Sequence, residues 1–107
     1  MSRRVKSVRK YSNGDFYSGE LVNNERDGTG KLVYSEGDVY EGGWLRNKRS
    51  GKGCMLYQDG EKYVGEYWEG QRNGVGVCSW ADGHRYEGEY SNNEFHGEGT
   101  YTWADGK

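Results

Sequence analysis

Apolar and polar residues alternate in two short stretches that recur along this chain. Phe16–Leu21 and Thr29–Tyr34 each follow a period of two and are rich in Tyr, Val and Thr, which predicts a β-strand in each. The pair returns at a step of 23 residues, and no stretch carries the i, i+3, i+4 apolar stripe of a helix. Two kinds of connection alternate between the strands. One is long and polar: Val22–Asp27, Leu45–Ser50, Trp68–Asn73 and Ser91–His96. The other is short: Ser35-Glu36-Gly37, Gln58-Asp59-Gly60, Ala81-Asp82-Gly83 and Ala104-Asp105-Gly106.

Glycine carries the same period. Four columns at the 23-residue step hold 17 of the 19 glycines: one runs from Gly14 to Gly106, and the others begin at Gly19, Gly28 and Gly30. A fixed period of this size marks a repeat protein. The units are 17–39, 40–62, 63–85 and 86–107, preceded by a basic leader and capping half-repeat at 1–16. The last unit stops one residue past its turn glycine. That suggests a piece of a longer chain, or an edge that needs a partner.

Parity decides the short turn. A two-residue loop would send Tyr40 to the face opposite Tyr34. A three-residue loop ending in a left-handed glycine, the G1-bulge hairpin, pairs Tyr34 with Asp38 and Leu32 with Tyr40, and so keeps the aromatics together. A six-residue connection over 22–27 then pairs Leu21 with Gly28, Gly19 with Gly30 and Tyr17 with Leu32. These registers align one row of glycines (Gly19, Gly30, Gly42, Gly53 and their successors) beside a row containing Tyr17, Tyr40, Tyr63 and Tyr86. Glycine inside a strand weakens it unless something approaches the backbone closely. The expectation is that aromatic rings lie flat over the glycine row. The opposite face (Ser18, Glu20, Lys31, Glu41, Glu87 and Thr100 among others) is mixed and solvated. The predicted fold is all-β: an elongated single-layer antiparallel meander of about four β-hairpin repeats, solenoid-like, roughly 40 Å long at the usual strand spacing.

Composition changes the picture little. Aliphatics are scarce, but 16 aromatics fall mostly in register with the repeat, and Tyr and Trp bury large apolar bodies while keeping a polar tip. No run is apolar enough to span a bilayer as a helix, and no signal peptide follows Met1, so a cytoplasmic protein is expected. Residues 1–10 carry Arg3, Arg4, Lys6, Arg9 and Lys10 without an acid, whereas the other 97 residues hold 10 basic and 17 acidic groups. The leader reads either as a solvated terminal segment or as a contact for anionic lipid or nucleic acid.

The segments Tyr17-Ser18-Gly19-Glu20, Tyr40-Glu41-Gly42, Tyr63-Val64-Gly65-Glu66 and Tyr86-Glu87-Gly88-Glu89 are each followed by Gly-x-Gly, at 28/30, 51/53, 74/76 and 97/99. Tyr-x-Gly … Gly-x-Gly at a 23-residue period resembles the MORN repeat family over residues 11–107. The family often has Trp where Leu21, Tyr67 and Tyr90 stand, and only Trp44 matches there. The resemblance implies a hairpin solenoid used for protein interaction, self-association and anchoring of complexes, at membrane junctions, cytoskeletal assemblies and cilia, or as an accessory module of a larger enzyme.

Candidate contact residues follow from exposure. A one-layer sheet leaves its rings without a second layer, and Tyr and Trp are favoured binding anchors. The candidates are the outer Tyr34, Tyr57, Trp80 and Trp103, with Tyr40, Tyr63, Tyr86, Trp44 and Tyr67 further in; the alternative is that these rings only pack on one another. Arg46, Lys48, Arg49 and Lys52 form a basic loop that, with the leader, is either solvated or attracts phospholipid headgroups. Cys54 and Cys78 point to opposite faces on strands separated by another, too far for a disulfide. No catalytic constellation, metal spacing or dinucleotide fingerprint is present. The expected protein is non-catalytic and needs no cofactor. Its partner is a protein segment or a second copy, with membrane as the alternative and no nucleic acid or small-molecule substrate.

Overall fold

The computed structural model describes residues 3–105. They form nine strands: β1 (Val5–Lys10), β2 (Phe16–Val22), β3 (Glu25–Val33), β4 (Val39–Leu45), β5 (Lys48–Leu56), β6 (Lys62–Trp68), β7 (Gln71–Ser79), β8 (Arg85–Ser91) and β9 (Glu94–Thr102). All lie in one antiparallel sheet in chain order, without a crossover. The extents are 51 × 26 × 17 Å. Part of the excess over the eight-strand expectation comes from β1, a ninth strand that adds about 5 Å.

The short turns are the three-residue loops that parity requires. Tyr34 N–H donates to the Asp38 carbonyl at 2.9 Å, Gly37 N–H donates to the Tyr34 carbonyl at 2.9 Å, and Leu32 faces Tyr40. Gly37 has φ 107°, a left-handed conformation that strains any residue with a Cβ. Gly106, assigned to the last short turn, lies outside the described residues.

The long connection differs from expectation. It is a two-residue turn, with Val22 facing Glu25. Asn23 and Asn24 have φ 51° and 65°, and Arg46-Asn47, Glu69-Gly70 and Asn92-Asn93 likewise have positive φ at both positions. This is the type I′ turn, whose twist matches that of the flanking strands. The remaining residues of the supposed loop belong to β3, where they bulge. Gly19 faces Gly30, but Leu21 faces Arg26, not Gly28 as expected, so Glu20 alone opposes Asp27, Gly28 and Thr29. Trp44 with Arg49 and Tyr67 with Arg72 repeat this register, and Tyr90 faces Phe95. Glu20 seals the bulge by accepting from Thr29 N–H at 2.7 Å, and Glu66 accepts from Val75 N–H at 2.7 Å.

The core lies along the bulged, glycine-lined face. Each repeat's leading tyrosine folds back over its own strand: Tyr17 Oη donates to the Glu20 carbonyl at 2.7 Å, Tyr40 to Gly43 at 2.9 Å, Tyr63 to Glu66 at 2.8 Å and Tyr86 to Glu89 at 3.0 Å. In that pose the ring covers the glycine row, as expected. A Cβ at Gly53 would stand 2.5 Å from Cε1 and Cζ of Tyr40. The rings also meet edge to face in a zigzag, Tyr40 with Trp44 at 5.1 Å and with Tyr67 at 5.2 Å, and Tyr63 with Tyr67 and Tyr90 at 5.2 Å each. Such pairs add about 0.5–1.5 kcal/mol each beyond area burial. The opposite face is largely exposed, as the alternation requires.

Candidate interaction surface

The zigzag changes which aromatics can meet a partner. Tyr40 and Tyr63 are 0% exposed, Tyr67 4%, Trp44 5% and Tyr86 6%. These five were candidates because a one-layer sheet has no second layer. The structure corrects that: Tyr40, Trp44, Tyr63 and Tyr67 each meet a ring of a neighbouring repeat edge-on, and Tyr86 is covered by Tyr90 and Phe95 of its own repeat. They are core. Burial pushes the Tyr17 and Tyr63 phenols up to about 12, against the opposing pull of Arg26 and Arg72 respectively, and raises Tyr40 and Tyr67 as well.

The outer column stays accessible. Tyr34, Tyr57 and Trp80 are half-buried, packed on one side against the core, and Trp103 is 54% exposed. Trp103 stands edge-on to the His84 ring at 5.2 Å, and Tyr101 lies against Trp80 at 5.8 Å. Open clefts flank this column, one walled by Asp38, Tyr57, Gln58 and Asp59, another by His84, Trp103, Ala104 and Asp105.

A column that the strand alternation does not single out lies beside it. Residues 26, 49, 72 and 95 are Arg, Arg, Arg and Phe at the 23-residue step. The bulge turns these positions onto the aromatic face. The Arg26 guanidinium lies 4.7 Å from the Trp44 ring, Arg49 5.3 Å from Tyr67 and Arg72 4.4 Å from Tyr63, within cation–π reach. Phe95 takes the same place over Tyr86, stacked at 4.1 Å. The arginines also reach the outer column: Arg49 Nη1 donates to Tyr34 Oη at 3.2 Å, and Arg72 Nη2 to Tyr57 Oη at 2.8 Å. Asn47 and Asn93 then bind the next repeat to the last. Arg26 N–H donates to Asn47 Oδ1 at 2.9 Å and Arg72 N–H to Asn93 Oδ1 at 2.8 Å. Both columns were visible as 23-residue periods, but a six-residue loop placed them away from the face.

Repeat three closes its arginine with a carboxylate. Arg72 Nη2 lies 3.2 Å from Glu61 Oε2, with side-chain exposures of 13% and 22%. The Cys78 thiol donates to the same oxygen at 3.0 Å. Burial and then the Glu61 carboxylate push this thiol up to about 12. Cys54 is half-buried, and both cysteines are free, as expected.

The basic residues do not gather on one surface. In β1, Arg9 faces Tyr17 on the aromatic face whereas Lys6 and Lys10 pair on the opposite one. Arg4 forms an ion pair with Asp27 at 3.0 Å and Lys48 with Glu69 at 3.2 Å. Arg46 occupies a turn position, Lys52 is exposed and Arg49 is committed to the aromatic groove. Arg3 is exposed ahead of β1. Among the described residues, no group of three or more His, Cys, Asp or Glu side chains could hold a metal ion, and no helix is long and apolar enough to cross a membrane.

Compared with known families, the MORN repeat model matches residues 17–39, 40–62, 63–85 and 86–107, the four units set by the glycine period. No curated protein matches the chain.

Proposed function

The chain belongs to the MORN repeat family, and on that premise we propose that it is a non-catalytic scaffold that binds a segment of a partner protein along Tyr34, Tyr57, Trp80 and Trp103. MORN repeats are generally interaction or membrane-association modules, and the family is generally non-enzymatic. The observation that carries the finer reading is the contrast between two aromatic columns on one face. The inner rings are sealed, while the outer column is half-covered and bordered by open clefts. Buried aromatic anchors dominate binding energy at protein interfaces, and a half-exposed Trp or Tyr beside a cleft is what a partner segment would complete. Self-association through the free edges of β1 and β9 is the competing use of the same sheet.

Peptides selected on the intact protein by display test the reading. The Trp80→Ala/Trp103→Ala variant, first shown folded by circular dichroism, is expected to lose them. Unchanged binding by that variant removes the outer column as the contact surface. Light scattering across a concentration series separates the edge reading, which requires a dimer or larger species.

A further inference from the structure

In repeat three an arginine has an anionic partner that its counterparts in repeats one and two lack. Its guanidinium, Arg72, stacks over Tyr63, donates to Tyr57 Oη and receives the Glu61 carboxylate at 3.2 Å. Glu61 occupies the column Asp15, Asp38, Glu61, His84, again at the 23-residue step. The equivalent arginines, Arg26 and Arg49, should therefore meet Asp15 and Asp38. They do not. Aspartate is one methylene shorter, and both carboxylates are turned instead to a hairpin: Asp15 Oδ1 accepts from Ser35 N–H at 2.8 Å, and Asp38 Oδ1 accepts from Gln58 N–H at 2.9 Å. Asp15 Oδ2 is also held, accepting from Asn13 Nδ2 at 3.1 Å.

The arginines are left short of anionic partners. Among the described residues, neither Arg26 nor Arg49 forms an ion pair. Arg49 donates only to neutral acceptors, Tyr34 Oη at 3.2 Å and the Gly70 carbonyl at 2.7 Å, and Arg26 has one side-chain hydrogen bond, from Nη2 to the Asn47 carbonyl at 3.3 Å, while its buried Nε has no partner. A buried guanidinium donor without an acceptor is costly. Between the two arginines opens a cleft of about 230 Å³, lined also by Tyr34, Trp44, Lys48 and Asp15, the last with both carboxylate oxygens already hydrogen-bonded. Lys48 is already neutralised by Glu69.

The geometry points to this cleft as a carboxylate-binding site for an acidic segment of a partner protein, with Arg26 and Arg49 each taking one side-chain carboxylate in the way Arg72 takes Glu61. The inference rests on the reading of this face as a protein-binding groove and gives its ligand a chemistry. Successive repeats are two strands apart, roughly 10 Å, and a peptide in the polyproline II conformation advances about 9 Å over three residues while returning its side chain to the same face. The expected motif is therefore Glu-x-x-Glu, running along the array and across the strands. A protein carboxylate is favoured over a lipid headgroup because the aromatic walls leave a slot beside the rings, and the other cations among the described residues are dispersed or paired.

The probe is a labelled 12-residue peptide with a central Glu-Ala-Ala-Glu, compared by fluorescence anisotropy with its Gln-Ala-Ala-Gln counterpart. The Glu peptide is expected to bind about tenfold more tightly per charge-assisted contact. Arg49→Gln should remove that preference. Asp38→Glu keeps every arginine and should also remove much of it, by supplying the missing carboxylate from within, as Glu61 does for Arg72. Glu61→Asp should do the reverse and strengthen binding, because it vacates Arg72. These last two variants keep the test decisive where Arg49→Gln fails to fold. Equal binding of both peptides, abolished by Trp80→Ala/Trp103→Ala, overturns the carboxylate site and leaves the aromatic groove standing. Absence of binding by either peptide overturns the carboxylate site. So does sedimentation with phosphatidylserine vesicles that depends on Arg26 and Arg49 while the Glu peptide fails to bind.

Discussion

Substituting alanine at Gly53 isolates the contact between ring and glycine on which the core depends. A Cβ there meets Cε1 and Cζ of Tyr40 at 2.5 Å, against an ordinary carbon–carbon separation of about 3.5–4.0 Å, so the ring must retreat by roughly 1 Å. It has nowhere to go. Tyr40 is fully buried, stands edge-on to Trp44 at 5.1 Å and Tyr67 at 5.2 Å, and is tethered to the Gly43 carbonyl at 2.9 Å. Overpacking costs roughly 1–3 kcal/mol and the lost hydrogen bond about 1 kcal/mol. The lower chain entropy of alanine in the unfolded state offsets about 0.4–1 kcal/mol of this. The net is a loss of about 2–3 kcal/mol, or on the order of 10–20 °C in Tm for a domain of this size. Thermal unfolding followed by circular dichroism and tryptophan fluorescence measures it. In a Tyr40→Leu background the same glycine substitution should cost little, because no ring remains to be displaced. A Gly53→Ala protein melting within about 2 °C of the parent, or an equal loss in both backgrounds, refutes the packing argument.

Three further outcomes are expected. Tyr67 occupies the place of Trp44, whose Nε1 donates to the Gly30 carbonyl at 3.1 Å, but its buried Oη has no hydrogen-bond partner; Tyr67→Trp should therefore stabilise by about 1 kcal/mol, read as a higher denaturation midpoint. Tyr17 and Tyr63 release their protons near 12 in the fold and near 10 when unfolded, so their contribution to stability is complete below pH 10 and is lost as pH rises from 10 through 12; midpoints of urea unfolding measured across that range should fall, and a flat profile would contradict the buried phenols. Cys78 is fully buried with its thiol raised to about 12, whereas Cys54 is half-buried, so a thiol reagent at neutral pH should label Cys54 first and Cys78 only after denaturation.

Much of the architecture was legible because it depends on parity and period. The repeat step, the G1-bulge turn at Gly37, the pairing of Tyr17 with Leu32 and the aromatic cover over Gly30 and Gly53 all follow from which residues must share a face. The long connection was misread for the same reason. A six-residue loop and a two-residue turn followed by a bulge of two extra residues leave the downstream parity unchanged, and Asn23-Asn24 lacks the Asn-Gly pair that usually announces a type I′ turn.

That ambiguity had consequences for the surface. By itself the sequence determined the repeat, the short turn and the columns that share the glycine-lined face from Gly30 to Tyr34 and from Tyr17 to Gly19, because side-chain alternation and glycine's missing Cβ are local properties. Tertiary structure decided which columns meet. The bulge brings Arg26, Arg49 and Arg72 over the rings, edge-to-face packing between neighbouring repeats buries Tyr40, Tyr63 and Trp44, and one methylene separates the paired Glu61 from Asp15 and Asp38. Burial and pairing depend on distances between residues 9 to 27 apart in the chain, and no local pattern encodes them.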